Sequence, residues 1–165
     1  MSVTVALEEL LDYSDFERNK WREWLAADPA RLQIPIQPGG RFPTAGALLD
    51  HVFLVERRHL ARLEGGTPPE ATGLAPTDWK GLFDYAALVR ADFRRFLADL
   101  EPQAGSSTLT FTPQGSGPVT MTRRKLLTHA VLHEIRHLAQ LALAARVAGH
   151  EPPGSHDLFY CPEFQ

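Results

Sequence analysis

The sequence predicts an all-α fold, most simply a four-helix bundle with a small β-hairpin before the last helix. Three observations predict it. Four long stretches carry apolar residues at helical spacing. Joints rich in proline and glycine separate them. One short stretch near residue 110 alternates with a period of two instead.

The first helix is expected from Thr4 to Ala27, with Leu7, Leu10, Leu11, Phe16, Trp21, Trp24 and Leu25 as its apolar positions. Asp28-Pro29 stops it, because the residue before a proline avoids the helical region. The joint from Pro35 to Pro43 holds three prolines and two glycines and is expected to be irregular.

Thr44 is a good N-cap for the second helix, which runs to about Leu63 and closes at Gly65-Gly66. Its stripe is Ala47, Leu48, Val52, Val55, Leu60 and Leu63, with His51 among them. A proline-rich loop, Thr67 to Pro76, follows. Thr77-Asp78 offers caps for a third helix from Trp79 to Leu100, with Phe83, Ala86, Ala87, Val89, Phe93, Phe96 and Leu97 on its apolar side. Trp21, Trp24 and Trp79 are expected in the core.

Residues Ser107 to Thr122 read as the hairpin. Thr108 to Thr112 and Val119 to Thr122 alternate and are β-branched, and Pro113 to Pro118 forms the turn. The fourth helix spans Thr122 to Ala148, with Gly149 as its C-cap. Leu138 to Ala148 is apolar almost all round. Such a helix is expected to be buried on more than one side, either centrally or at a homodimer interface.

A chain of 165 residues is expected to form one domain, 1–165. The net charge of −3 supplies no basic field for nucleic acid. No apolar run is long enough to span a membrane. Glu8, Glu9, Asp12 and Asp15 do not fit the basic, then apolar, start of a signal peptide, so none is expected. The single cysteine, Cys161, allows no internal disulfide and fits a reducing cytoplasm.

Chemistry enters with His129, His133 and His137, three histidines linked by two steps of four residues on the last helix. Each step turns the side chain by only about 40°, so the rings share one face. Seven histidines in the chain would give two linked steps of this kind only about 0.01 times by composition. Neutral imidazoles at i, i+4 can chelate one ion. The alternative is a helix whose polar residues share a stripe. A catalytic site wants a third protein ligand and an open position, and bundles supply ligands from facing helices. His51, on the apolar side of the second helix, is the natural third. His59 lies about 80° and about 12 Å from His51 along the helix and is expected to be exposed. His150 and His156 are expected in solvent.

The chain resembles the DinB family of YfiT-like four-helix bundles over nearly its whole length. The residues that carry the resemblance are Tyr13-Ser-Asp, Leu49-Asp-His51 opening into Glu56-Arg57-Arg58, the hairpin, His129-x-x-x-His133-Glu-x-x-His137-x-x-Gln140, and Gly149-x-x-Pro152-Pro153. The resemblance implies that His51, His133 and His137 bind one divalent metal, zinc or nickel being the expected ions, with His129 beside the site. Many relatives carry arginine and glycine where this chain has Leu138 and Ala139, which puts any substrate contact by those two in doubt.

Characterised relatives include S-transferases and isomerases that use low-molecular-weight thiols. The first functional expectation is therefore activation of a small thiol for transfer to an electrophilic small-molecule substrate. The second is hydrolysis by metal-activated water, with Glu134 or His129 as base. The third is a non-enzymatic metal-binding stress-response protein. His133-Glu-Ile-Arg-His137 also matches H-E-x-x-H, but a helical bundle offers no sign of the cleft and strand a zincin protease needs. Gln140 could hydrogen-bond a ligand imidazole. Arg57, Arg58, Arg123 and Arg124 could meet a substrate carboxylate, though solvated helix charges explain them as well.

Overall fold

The computed structural model describes residues 5–37, 39–101, 103–113 and 115–162. Its helices are α1 (Leu7–Ala27), α2 (Ala45–Leu63), α3 (Trp79–Ala98) and α4 (Arg123–Val147), with the strands β1 (Thr108–Phe111) and β2 (Val119–Thr122) between α3 and α4. Thr4, expected to open the first helix, lies outside the described residues.

The helix starts follow from local chemistry. Thr44, Asp78 and Thr122 each accept a hydrogen bond from a backbone N–H of the first turn, at Ala47, Gly81 and Lys125. Gly149 follows α4 with φ of 82°, the left-handed conformation that ends a helix and that glycine adopts freely. Gly46 is needed for a different reason. A Cβ there would sit 1.8 Å from the Pro76 carbonyl oxygen, so only glycine lets the loop before α3 cross the start of α2. The third helix stops at Ala98, two residues before the expected end.

The strands pair antiparallel from Thr108 opposite Thr122 to Phe111 opposite Val119. The joint at Pro35–Pro43 is more ordered than its composition suggests. Pro35 and Thr44 form an isolated antiparallel bridge, and Ile36 and Gln37 donate to the carbonyls of Pro43 and Phe42. This folds the joint back and carries Arg41 and Phe42 over α2.

Each of α1 and α2 packs against both α3 and α4. The core divides into two apolar clusters. One gathers Trp21, Leu25, Leu48, Phe53, Leu82, Phe83 and Leu141. The other gathers Leu11, Leu60, Leu63, Phe93, Leu126 and Val131. Between them lies a buried ionic layer to which each helix gives one residue: Arg18, Glu56, Arg90 and Glu134. Arg18 bonds Glu56 and Glu134, and Arg90 bonds the same two carboxylates. Two cations and two anions balance, which is the condition for burying charge.

One expectation about burial is narrowed to its interface alternative, and a second is corrected. The second half of α4 is not covered all round: Leu141, Ala142 and Ala145 are buried, but Leu143 and Val147 are exposed in the chain by itself. His156 is not free in solvent. It stacks on Trp21 with parallel rings 5.4 Å apart and bonds Glu17, which holds the C-terminal segment against α1. Among the described residues no helix is long and apolar enough to cross a membrane.

Candidate metal centre

The antiparallel packing of α2 on α4 brings His51 to His133 and His137. Their ring centroids are 5.1, 5.4 and 4.5 Å apart, and one nitrogen from each lies within 4.8 Å of the others. His133 and His137 are buried, and His51 is half-buried. Among the described residues this is the group of histidines, cysteines or carboxylates gathered closely enough to hold an ion.

The environment keeps these rings neutral, which ligation requires. Burial pushes His133 down to about 2, assisted by His137 and His51. Burial, with Arg41 next in effect, brings His51 down to about 4. Burial also lowers His137, against an opposing hydrogen bond to Gln140. That bond joins His137 Nδ1 to Gln140 Oε1 at 3.1 Å. The amide oxygen only accepts, so Nδ1 carries the proton and Nε2 keeps its lone pair for a metal. The donor set therefore fits a divalent ion of the imidazole-binding kind.

The triad opens on a cavity of about 460 Å³. Phe42 covers one side, its ring 4.3 Å from His51 and 5.8 Å from His137. The hairpin closes the far side with Phe111, Val119 and Met121. The histidine stripe continues away from the triad. His129 lies at the mouth, 5.6 Å from the His133 ring, and 5.3 Å from His59.

The sequence profile of the DinB family matches residues 1–162. The chain belongs to the DinB family. No curated protein matches it.

Two expectations about this DinB-family site need correcting, and one that stood open is divided. His59 is not exposed. It is 7% exposed, lines the cavity, and is pushed down to about 3 by burial and by His129. The helical rotation that separates it from His51 turns it toward α4 rather than outward. Glu134 does not reach the cavity. Ser14, Arg18 and Arg90 occupy its two oxygens. Burial raises its carboxyl, but the two guanidinium groups outweigh that and hold it below the usual carboxylate range. It has neither the position nor the basicity to take a proton at the triad. Of the four arginines considered, Arg58 lines the cavity, whereas Arg57 pairs with Glu64 and Arg123 and Arg124 lie outside it.

Sequence reasoning missed Arg41, Arg62, Lys125 and Arg136, which also line the cavity. A helical projection could have found Arg62, since Val55, Arg58, His59 and Arg62 follow His51 along one side of α2. Arg41 and Phe42 carry no periodic signal, because they sit in a joint.

Proposed function

We propose that the protein is a metal-dependent enzyme that activates a low-molecular-weight thiol for transfer to an electrophilic small molecule. The observation that carries this reading is the triad of neutral imidazoles at the wall of an open cavity. A structural ion wants a closed shell of four ligands, whereas a catalytic one keeps positions free. Three histidines without a fourth partner among the described residues support the second kind.

His51, His133 and His137 would hold the ion, and Gln140 fixes the tautomer of one of them. A divalent ion, when bound there, stabilises the charged form of a thiol and so raises the thiolate fraction near neutral pH. In the transfer, the sulfur lone pair forms a bond to the electrophilic carbon and the leaving group departs with its electron pair. The thiol proton passes to solvent or to His129, whose ring is lowered by burial and is neutral. Phe42 and the hairpin restrict water around the reacting groups. His129 also supports a second reading, hydrolysis of a bound substrate, in which it takes the proton of an attacking water. Glu134 supports neither.

Metal content by elemental mass spectrometry tests the first half of the proposal. About one divalent ion per chain is expected, lost in His133→Ala. Loss of free thiol in the presence of an electrophile, followed for wild type and His133→Ala, tests the second half. Equal rates for the two would end the thiol-transfer reading. The exposed Leu143 and Val147 on α4 support a homodimer, which light scattering of the purified protein would test.

A further inference from the structure

The cavity carries more positive charge than the fold explains. Arg41, Arg58, Arg62, Lys125 and Arg136 line it, and among the described residues no aspartate or glutamate does. The chain as a whole has net charge −3, so composition does not produce this excess. Elsewhere guanidinium meets carboxylate: Arg18 and Arg90 meet Glu56 and Glu134, and Arg94 meets Asp12 and Asp15. Among the described residues, Arg58 and Arg62 find only neutral partners. Arg58 donates to the carbonyls of Pro69 and Glu70, and Arg62 lies over the Phe111 ring at 4.5 Å. Clefts lined with one sign of charge concentrate the opposite sign.

The end of the cavity away from the triad is the more specific part. Arg62 Nη1 lies 3.1 Å from His59 Nδ1. A guanidinium can only donate, so Nδ1 accepts and the ring proton sits on Nε2. That N–H is buried and has no partner among the described residues. His59 itself is 7% exposed and lines the cavity. A buried donor without an acceptor lowers stability unless something fills the place. Arg62 is in the same position electrically. Burial and the neighbouring Arg58 both disfavour its charge.

We propose that Arg62 and the Nε2–H of His59 form an oxyanion seat for the carboxylate or phosphate of a small amphipathic substrate. Arg58 stands beside the seat, and Lys125, Arg41 and Arg136 sit at the exposed mouth, where they attract the anion and screen its charge. The apolar body of the substrate lies on Phe111, Val119 and Met121. Its other end reaches the triad. His51 and Arg62 are separated by about 16 Å along the axis of α2, so the molecule is elongated, with its reacting group far from its charge. The reacting end rests on the proposed metal chemistry; the seat does not need the ion.

Isothermal titration calorimetry on chelator-treated protein tests the seat without the ion. The probes are 4-phenylbutyrate, 3-phenylpropyl phosphate and the neutral 4-phenylbutyramide. At least one anion is expected to bind, about tenfold or more tightly than the amide, with affinity falling as salt rises. The tighter anion identifies carboxylate or phosphate as the natural group. Arg62→Gln is expected to weaken it tenfold or more, with Arg62→Lys recovering part of the loss. His59→Phe, which keeps the ring and removes the N–H, provides the same test should Arg62→Gln fail to fold by circular dichroism. Equal binding of the amide, no binding of either anion, or unchanged affinity in Arg62→Gln and His59→Phe would each overturn the seat. Zinc titration of the same variants separates the two proposals. Anion selectivity in a protein that takes no zinc supports the seat and ends the metal reading alone.

Discussion

Arg18 clasps the carboxylate of Glu134 with two parallel hydrogen bonds, Nε to Oε1 and Nη2 to Oε2, each 2.7 Å long. Glu134 directly follows His133, and one residue on a helix turns the side chain by about 100°. A single turn of α4 thus delivers an imidazole to the cavity and a carboxylate to the bundle interior. Arg90 and Ser14 complete the hold on Glu134 from α3 and α1. The ionic layer therefore fixes the rotation of α4, and with it the direction of the ligand histidines.

Glu134→Gln should be a stability mutant and not a catalytic one. It removes one of the two carboxylates of the ionic layer and leaves Arg18 and Arg90 short of a partner. Breaking a buried ion pair from one side costs about 3–5 kcal/mol. Urea unfolding should show a loss of that order, while the folded variant still takes one ion for His51, His133 and His137. Full stability together with abolished turnover would instead make Glu134 a base.

His51→Ala and His59→Ala separate the triad from the rest of the stripe. His51 belongs to the cluster that can hold an ion, and His59 does not. His51→Ala should lose the metal and keep the helical circular dichroism signal. His59→Ala should retain the metal. It should lose about 1–3 kcal/mol, because it empties a buried site. Metal loss of equal extent in both variants would sink the assignment of ligands.

The sequence reveals features that are local. Helix spacing, the caps at Thr44 and Asp78, and the alternation of the hairpin each need only a few neighbouring residues, and the structure has all of them. The four-residue histidine steps are local too. The ionic layer is not. Arg18, Glu56, Arg90 and Glu134 stand one to a helix, and each by itself looks like an ordinary solvated charge. Their pairing exists only once the helices are assembled. His59 was hidden for a related reason: it is buried with its ring against His129 of α4, and that covering cannot be read from α2. Arg41 and Phe42 sit in a proline-rich joint whose fold-back over His51 depends on pairing between Pro35 and Thr44.

The pH dependence of the metal-free protein follows from the buried histidines. Burial holds His59 at about 3, far below the ordinary 6.5. Below pH 6.5 the unfolded chain takes up a proton that folded His59 refuses. Stability is therefore full above about pH 6.5 and falls as pH drops through the window between 6.5 and 3. His133, also lowered by burial, adds to the same slope. Each such group contributes up to about 1.4 kcal/mol per pH unit. Urea midpoints of metal-free protein should fall between pH 6.5 and 4.5, less steeply in His59→Phe. A flat profile in that range would mean that these rings are already protonated in the fold.

Phe42 should control exchange at the triad. Its ring is 4.3 Å from His51 and 5.8 Å from His137. The backbone that carries it is held by Ile36 and Gln37 donating to Pro43 and Phe42 itself. The ring therefore shields the ligand histidines without ligating anything. An apolar shell around a metal site limits the approach of water and competing ligands. Phe42→Ala should leave the number of ions per chain unchanged, since no ligand is removed. A chelating dye should withdraw zinc from it on the order of tenfold faster than from wild type. The unfolding midpoint should move little, because Phe42 is only partly buried. Unchanged withdrawal kinetics would show that the ion enters and leaves past His129 at the open mouth, and that the fold-back of the joint serves the packing of α2 alone.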